Sequence, residues 1–285
     1  MTLFDASRDA EGELFTPRAE ATSRWTGRHV RGPAIVSLLA RALESTTPDA
    51  ARLLPARTTF ELHSPVPFEP CRVHTRVLKR GRSLTLVEAE LHSGGRIVAR
   101  CRSTVLAIGS AVAGADFAER SRMRKPPRKS DIANDIWANP IPPECAPPSV
   151  EVQTAATERL FRSATTDWSP RRADHRTGER IVVWYSAETV VAGEAASPFQ
   201  LAAAAADLGN FAVNFGANGL AHINTDVTLS LARLPVPGGV GVCGGSRTAD
   251  GDVAVGSGLV FDTDGVCGQV TITALRHAEV RLTFE

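Results

Sequence analysis

Pro198-Phe199-Gln200-Leu201-Ala202-Ala203-Ala204-Ala205-Ala206-Asp207-Leu208-Gly209-Asn210-Phe211-Ala212-Val213-Asn214-Phe215 is the stretch on which the fold turns. Its length and apolar content predict a helix, whereas the segments after it are β-branched or alternating. Residues 223–231, 239–247, 253–262 and 265–275 read as strands, so four strands follow one helix. The same order occurs earlier in the chain. Residues 30–43 carry Ile35, Leu38, Leu39 and Leu43 on one helical face, and 58–63, 72–78, 84–91 and 96–106 follow as strands. Pro65, Pro67, Pro70, Gly81 and Gly94-Gly95 punctuate the first set, and Asp264-Gly265 turns the last hairpin of the second. The repetition predicts an internal duplication of a helix-plus-antiparallel-sheet unit, hence an α+β class; its period is too long for a solenoid.

Between the two copies the composition changes. Seven of the 18 prolines (Pro126, Pro127, Pro140, Pro142, Pro143, Pro147 and Pro148) fall in 111–149, beside the basic run 121–129. Proline withholds the amide hydrogens that helices and ladders need, so this segment reads as a linker. The expected division is 1–110, a Pro-rich linker over 111–149, and 150–285. A chain of 285 residues has ample core for two such units. With 32 Lys and Arg against 31 Asp and Glu, the formal charge of +1 gives no field that would draw it to nucleic acid or an anionic membrane. No apolar run approaches the roughly 18 residues of a membrane span. Met1-Thr2-Leu3-Phe4-Asp5 has neither the basic nor the apolar region of a secretory signal, and five unpatterned cysteines suggest no disulfide framework or zinc site. A soluble, cytoplasmic protein is expected.

Several motifs fail on context. Gly239-Val240-Gly241-Val242-Cys243-Gly244 matches the dinucleotide fingerprint by letters, but it follows Pro235-Val236-Pro237 and precedes a polar turn rather than a helix. Gly244-Gly245-Ser246-Arg247-Thr248 lacks the closing glycine of a nucleophile elbow. The seven histidines show no metal-ligand spacing. The basic run carries no aromatic platform for bases.

Asp207 is the anomaly. An ionised, unpaired carboxylate in such an apolar helix costs several kcal/mol, and burial raises its pKa toward the range of a general base. No Lys or Arg lies within a turn of it. It is therefore either a buried functional group or a residue on an exposed helix edge. Asn224, at the start of the first strand after the helix, and Thr273, on the last, could both hydrogen-bond a water held by Asp207. A carboxylate and neutral polar groups around one water can hydrolyse an activated acyl compound without a covalent nucleophile.

At these residues the sequence resembles the acyl-CoA thioesterase II (TesB-like) and related thioesterase-like double hot-dog proteins, over roughly 20–109 and 180–276. Trp25 with Gly27-Arg28-His29-Val30-Arg31-Gly32 resembles the family's tryptophan and the start of its first helix. His63-Ser64-Pro65-Val66-Pro67 and Lys79-Arg80-Gly81-Arg82-Ser83 resemble its first-strand and Arg-x-Gly-Arg-Ser segments. Ala206-Asp207-Leu208 and Asn224-Thr225-Asp226 resemble the segments that bear its catalytic aspartate and threonine. The resemblance implies two hot-dog units in one chain and hydrolysis of acyl-CoA to fatty acid and CoA, with no cofactor or metal. An aspartate, a threonine and a glutamine hold the attacking water in that family. Their positions fall on Asp207, Asn224 and Thr273, so two of the three differ from its pattern. Gly32, at the first helix start, is the candidate backbone donor to the oxyanion. Acyl-CoA is the expected partner, self-association into a homo-oligomer is compatible with these features, and a non-catalytic acyl-CoA-binding or scaffold protein on the same fold is the alternative.

Overall fold

The computed structural model describes residues 1–47, 52–108, 145–155, 159–186 and 188–277. The duplicated pattern appears as two long helices, α1 (Gly32–Thr46) and, after a six-residue α2 (Val150–Ala155), α3 (Pro198–Asn214). After α1 come β3 (Leu53–Leu62), β4 (Arg72–Arg80), β5 (Leu84–Ser93) and β6 (Arg96–Ala107). After α3 come β12 (His222–Leu231), β13 (Val240–Asp250), β14 (Val253–Asp262) and β15 (Gly265–Arg276). These eight strands join in one ten-stranded sheet in the order β4-β5-β6-β3-β12-β15-β14-β13-β8-β7, where β7 is Arg159–Arg162 and β8 is Val182–Tyr185. The order reads outward as 3-6-5-4 on one side and 12-15-14-13 on the other, the same topology twice.

The two halves meet at β3 and β12, which pair antiparallel from Asp226↔Glu61 to Ser230↔Arg57, with the hydroxyls of Thr59 and Thr228 in contact at 3.0 Å. The sheet is thus continuous across the halves. Its concave face holds both helices. Val227, Leu229 and Leu231 point inward from β12 and Val270, Ile272 and Ala274 from β15, under α3, while α1 lays Ile35, Leu38, Leu39 and Leu43 into the same core over β4, β5 and β6. Burying each such side chain is worth about 1.5–3 kcal/mol, so the apolar spacing fixes which face each element presents.

Helix α3 buries 15 of its 17 residues because it packs on the sheet on one side and on α1 on the other. That explains its alanines, which let two helix backbones approach. Gly209 serves the sheet side: a Cβ there would meet Ile272 Cδ1 at 3.1 Å and Val242 Cγ1 at 3.4 Å. A helix enclosed on all sides has no exposed edge at its middle, which excludes that placement of Asp207.

Three features lie beyond the predicted pattern. β1 (Thr2–Asp9) and β2 (Gly12–Pro17) form an N-terminal hairpin, and β9 (Thr189–Val191) pairs parallel with β1, so the first strand of the chain adds to the second half. β7 and β8 extend the sheet edge before α3, and β10 (Phe215–Gly216) and β11 (Gly219–Leu220) pair as a short antiparallel hairpin after it. The predicted linker falls largely outside the described residues, which resume at Cys145. Among the described residues, no helix is long and apolar enough to cross a membrane.

Candidate functional site

Asp207 lies at the centre of α3 and is 7% exposed. Its carboxylate faces the first turn of α1. Gly32 is the residue it meets, and a Cβ at Gly32 would lie 2.4 Å from Asp207 Oδ2 and 2.6 Å from Oδ1. No side chain can occupy position 32 while the carboxylate stays where it is. α1 itself begins without a side-chain cap, Pro33 contributes no N–H, and Gly32 N–H has no backbone acceptor among the described residues. The positive end of one helix thus points at the acid of the other.

Asn224 reaches the same point from β12. Its Nδ2 donates to Asp207 Oδ1 at 3.0 Å and to the Asp207 backbone carbonyl at 2.9 Å. Both partners are acceptors, which fixes the amide orientation and leaves Asn224 Oδ1 buried without a hydrogen-bond partner among the described residues. A β-bulge makes this possible. The β12–β15 register slips between Asn224 and Asp226, so the inward parity set by Val227, Leu229 and Leu231 changes, and Asn224 turns inward.

Thr273 is not brought to the carboxylate. On β15 its neighbours Ile272 and Ala274 are buried toward the helices, and a strand's alternation sends Thr273 to the opposite face. What it supplies near the site is its backbone carbonyl, which accepts from Thr225 Oγ1 at 3.1 Å. Counting from the turn glycine located the strand position but not the face. Of the four predicted site residues, Asp207, Asn224 and Gly32 converge and Thr273 faces away.

The three converge on a cavity of about 790 Å³ between the two halves, walled by Trp25, Ile35, Val66, Leu208, Phe211, Leu220 and Ile223. Such a volume suits a small-molecule ligand. Polar groups that sequence reasoning passed over line it too: Arg31, Arg159, Arg172, Asn210, Thr225 and His277. They come from six separate places in the chain, and no local pattern connects them. Arg172 stacks over Phe161 and Phe211, each ring centroid 5.7 Å from its guanidinium carbon. Burial pushes the Asp207 pKa up to about 6, while the Asn224 hydrogen bond and the charges of Arg159 and Arg31 pull it down. A carboxylate so placed is ionised at neutral pH yet a far better proton acceptor than an exposed aspartate. Among the described residues, no cluster of three or more His, Cys, Asp or Glu is arranged to hold a metal ion.

The geometry can be set beside known proteins. The family model for the acyl-CoA thioesterase N-terminal domain matches residues 21–111, and that for the acyl-CoA thioesterase C-terminal domain matches 138–275. Among solved structures, a TesB protein of Mycobacterium avium subsp. paratuberculosis is similar over 95% of each chain, at 16% identity and a TM-score of 0.61. An acyl-CoA thioesterase II of Mycobacterium marinum is similar over 96% of each chain, at 12% identity and TM-score 0.56. A conserved protein with a hot-dog fold from Alicyclobacillus acidocaldarius is similar over 96% of each chain, at 13% identity and TM-score 0.59. At these identities the structures speak to the fold, which is the double hot-dog. A search of curated proteins finds no match.

Proposed function

The chain belongs to the acyl-CoA thioesterase family, a family of thioester hydrolases, and from that premise we propose that it hydrolyses acyl-CoA to a free fatty acid and CoA by way of a water held at Asp207. The observation that carries this reading is the pairing of two buried acceptors at one point. Asp207 offers its carboxylate, and Asn224 donates to it while its own Oδ1 stays buried without a partner among the described residues. A water donating one hydrogen to each would be held with a lone pair facing the cavity.

In the proposed reaction the water oxygen adds to the thioester carbonyl carbon as its proton passes to Asp207. The oxygen that gains charge lies at the head of α1, where Gly32 N–H donates to it. Fixed backbone donors of this kind are usually the largest electrostatic contribution to acyl transfer. The carbon–sulfur bond then breaks, and the proton on Asp207 goes to the departing thiolate, leaving the acid and CoA. Thr273 has no part in holding the water. The 1–110, 111–149 and 150–285 division stands as part of the same proposal, with the site built from both folded units. All five cysteines are buried thiols, which fits a reducing cytoplasm.

The test is thiol release across short- to long-chain acyl-CoAs by the parent and by Asp207→Asn. Turnover that Asp207→Asn abolishes without loss of acyl-CoA binding supports the proposal. Turnover unchanged in Asp207→Asn removes it. Binding without turnover in the parent would leave an acyl-CoA-binding protein on a hydrolase fold.

A further inference from the structure

Arg31 stands at the turn into α1, one residue before Gly32, and lines the cavity. Its side chain is 9% exposed and donates to Glu188, whose side chain is 1% exposed. Glu188 accepts in turn from the hydroxyl of the buried Tyr185. The partners lie 157 residues apart in sequence, so the network crosses from the first half of the molecule to the second. A buried ion pair is a poor device for stability alone, because apolar side chains of similar volume often serve as well or better. Its place directly behind the residue that touches Asp207 gives it another use.

We infer that Arg31, clamped by Glu188 and Tyr185, is a positioning residue for hydrolysis: it fixes the head of α1 against Asp207 and supplies the positive charge that keeps this carboxylate ionised. The inference rests on the reading of Asp207 as the base. Other groups face the same cavity: His29 from the approach to α1, Arg159 from β7, Arg172 from the short helix after it, and Arg276 and His277 from the end of β15. Glu20, Arg24 and His63 also line it. Of all these, Arg159 and Arg31 are the ones whose charge acts on Asp207 against the effect of burial. Burial is the larger effect and keeps the acid above an ordinary carboxylate's range, while Glu188, paired with Arg31, offsets part of the charge set against it.

The test is the pH profile of kcat/KM, whose acidic limb reports the base in the free enzyme. Arg31→Met removes the charge and should move that limb upward by about one pH unit, within the range one opposite charge commands. At pH 6 the rate should fall more than on the alkaline plateau. Glu188→Gln leaves the Arg31 charge less offset and should move the limb downward. Arg31→Lys keeps the charge and should keep the limb near its parent position while lowering the plateau. Tyr185→Phe removes a hydrogen bond but no charge, and the limb should stay. Opposite shifts for Arg31→Met and Glu188→Gln are a signature that mere loosening of the fold does not produce. If Arg31→Met fails to fold, Glu188→Gln and Arg31→Lys still decide. A limb that moves in neither Arg31→Met nor Glu188→Gln, or that moves in Tyr185→Phe as far as in the charge variants, overturns the inference. Asp207→Asn separates the two levels. If it keeps the parent rate and limb, the reading of the base fails; if it loses both and the clamp variants shift nothing, only the role of Arg31 fails.

Discussion

At the start of α1, Gly32 faces the carboxylate of Asp207 from α3; at the start of α3, Ser197 and Gln200 face the carboxylate of Glu44 from α1. The duplicated topology brings each long helix's acid to the other's positive end, and the two copies resolve that meeting differently. Ser197 Oγ lies 2.7 and 2.8 Å from the two Glu44 oxygens and accepts from Gln200 N at 3.1 Å, while Gln200 Nε2 donates to Glu44 Oε2 at 2.8 Å. Glu44 is thus bonded by side chains at the start of the helix it faces, and it does not line the large cavity. Gly32 has no side chain to offer, so the Asp207 carboxylate keeps a cavity in front of it. Burial raises the pKa of both acids. On the proposed reading, what separates a reactive carboxylate from a structural one here is what stands on the helix it faces.

The sharpest way to break this comparison is to neutralise each acid. Asp207→Asn keeps shape and removes the proposed base, a loss typically worth about 10²–10⁴ in rate. Glu44→Gln should leave kcat/KM near the parent's and be read mainly in thermal stability. Comparable rate losses in the two variants, measured by thiol release from a medium-chain acyl-CoA, would show that the helix starts do not divide the roles.

The second contrast is at the helix starts themselves. Gly32→Ala puts a methyl group 2.4 Å from Asp207 Oδ2, so the carboxylate must move. A rate loss of tenfold to a hundredfold, about 1.4–2.8 kcal/mol of transition-state stabilisation, is expected. Ser197→Ala removes an N-cap and should cost about 1 kcal/mol of stability, with the rate retained. Equilibrium unfolding together with kcat/KM on both variants separates the effects.

The pH dependence sharpens it further. The folded-state pKa of Asp207, about 6, lies above its ordinary value of 3.8. The folded protein therefore binds this proton more tightly than the unfolded chain. Stability from this group is full below pH 3.8 and is lost as pH rises through about 6. Under the proposed mechanism activity should run the other way, rising as pH passes through about 6 and Asp207 ionises. Asp207→Asn should consequently be more stable than the parent at pH 8, by about 2–3 kcal/mol at most, at one pKa unit per 1.36 kcal/mol. The gap opens between the two pKa values, so denaturant midpoints at pH 4 and pH 8 would show it small at the lower pH and full at the higher. A gap of equal size at both would mean that Asp207 does not carry a raised pKa.

How far the sequence reached depends on which physical signal each feature leaves. The long helices and eight strands after them are written in apolar periodicity, because burying one face of each element dominates its energetics. The hairpin of β1 and β2 was not legible: Leu3, Phe4 and Phe15 are buried, but the charged, exposed residues between them mask the alternation. Asp207 was visible as a charge in an apolar run. The guanidiniums that act on it, Arg31 and Arg159, were not, since they arrive from segments 176 and 48 residues away. Asn224 was found by position although the parity of its strand argues against it. The inward run Val227, Leu229 and Leu231 would send Thr225 inward and Asn224 outward, and the bulge that reverses this leaves no local signature.

Strand parity also governs the last two expected effects. Asn224→Ala removes a hydrogen bond to a charged group, worth about 1.5–3 kcal/mol, and should slow hydrolysis on the order of tenfold to a hundredfold. Thr273→Gln tests the opposite case. Counting along the last strand made Thr273 the counterpart of the family's glutamine, and on that count a longer amide should help hold the water. The strand turns this side chain away from the helices, between the inward Ile272 and Ala274. No χ rotation carries a glutamine through the sheet to Asp207. Thr273→Gln should therefore leave kcat/KM and its acidic limb unchanged, and the backbone carbonyl that accepts from Thr225 is preserved in any case. A rate increase in this variant would mean that β15 sits one residue out of the register found here, with its 273 position facing the cavity.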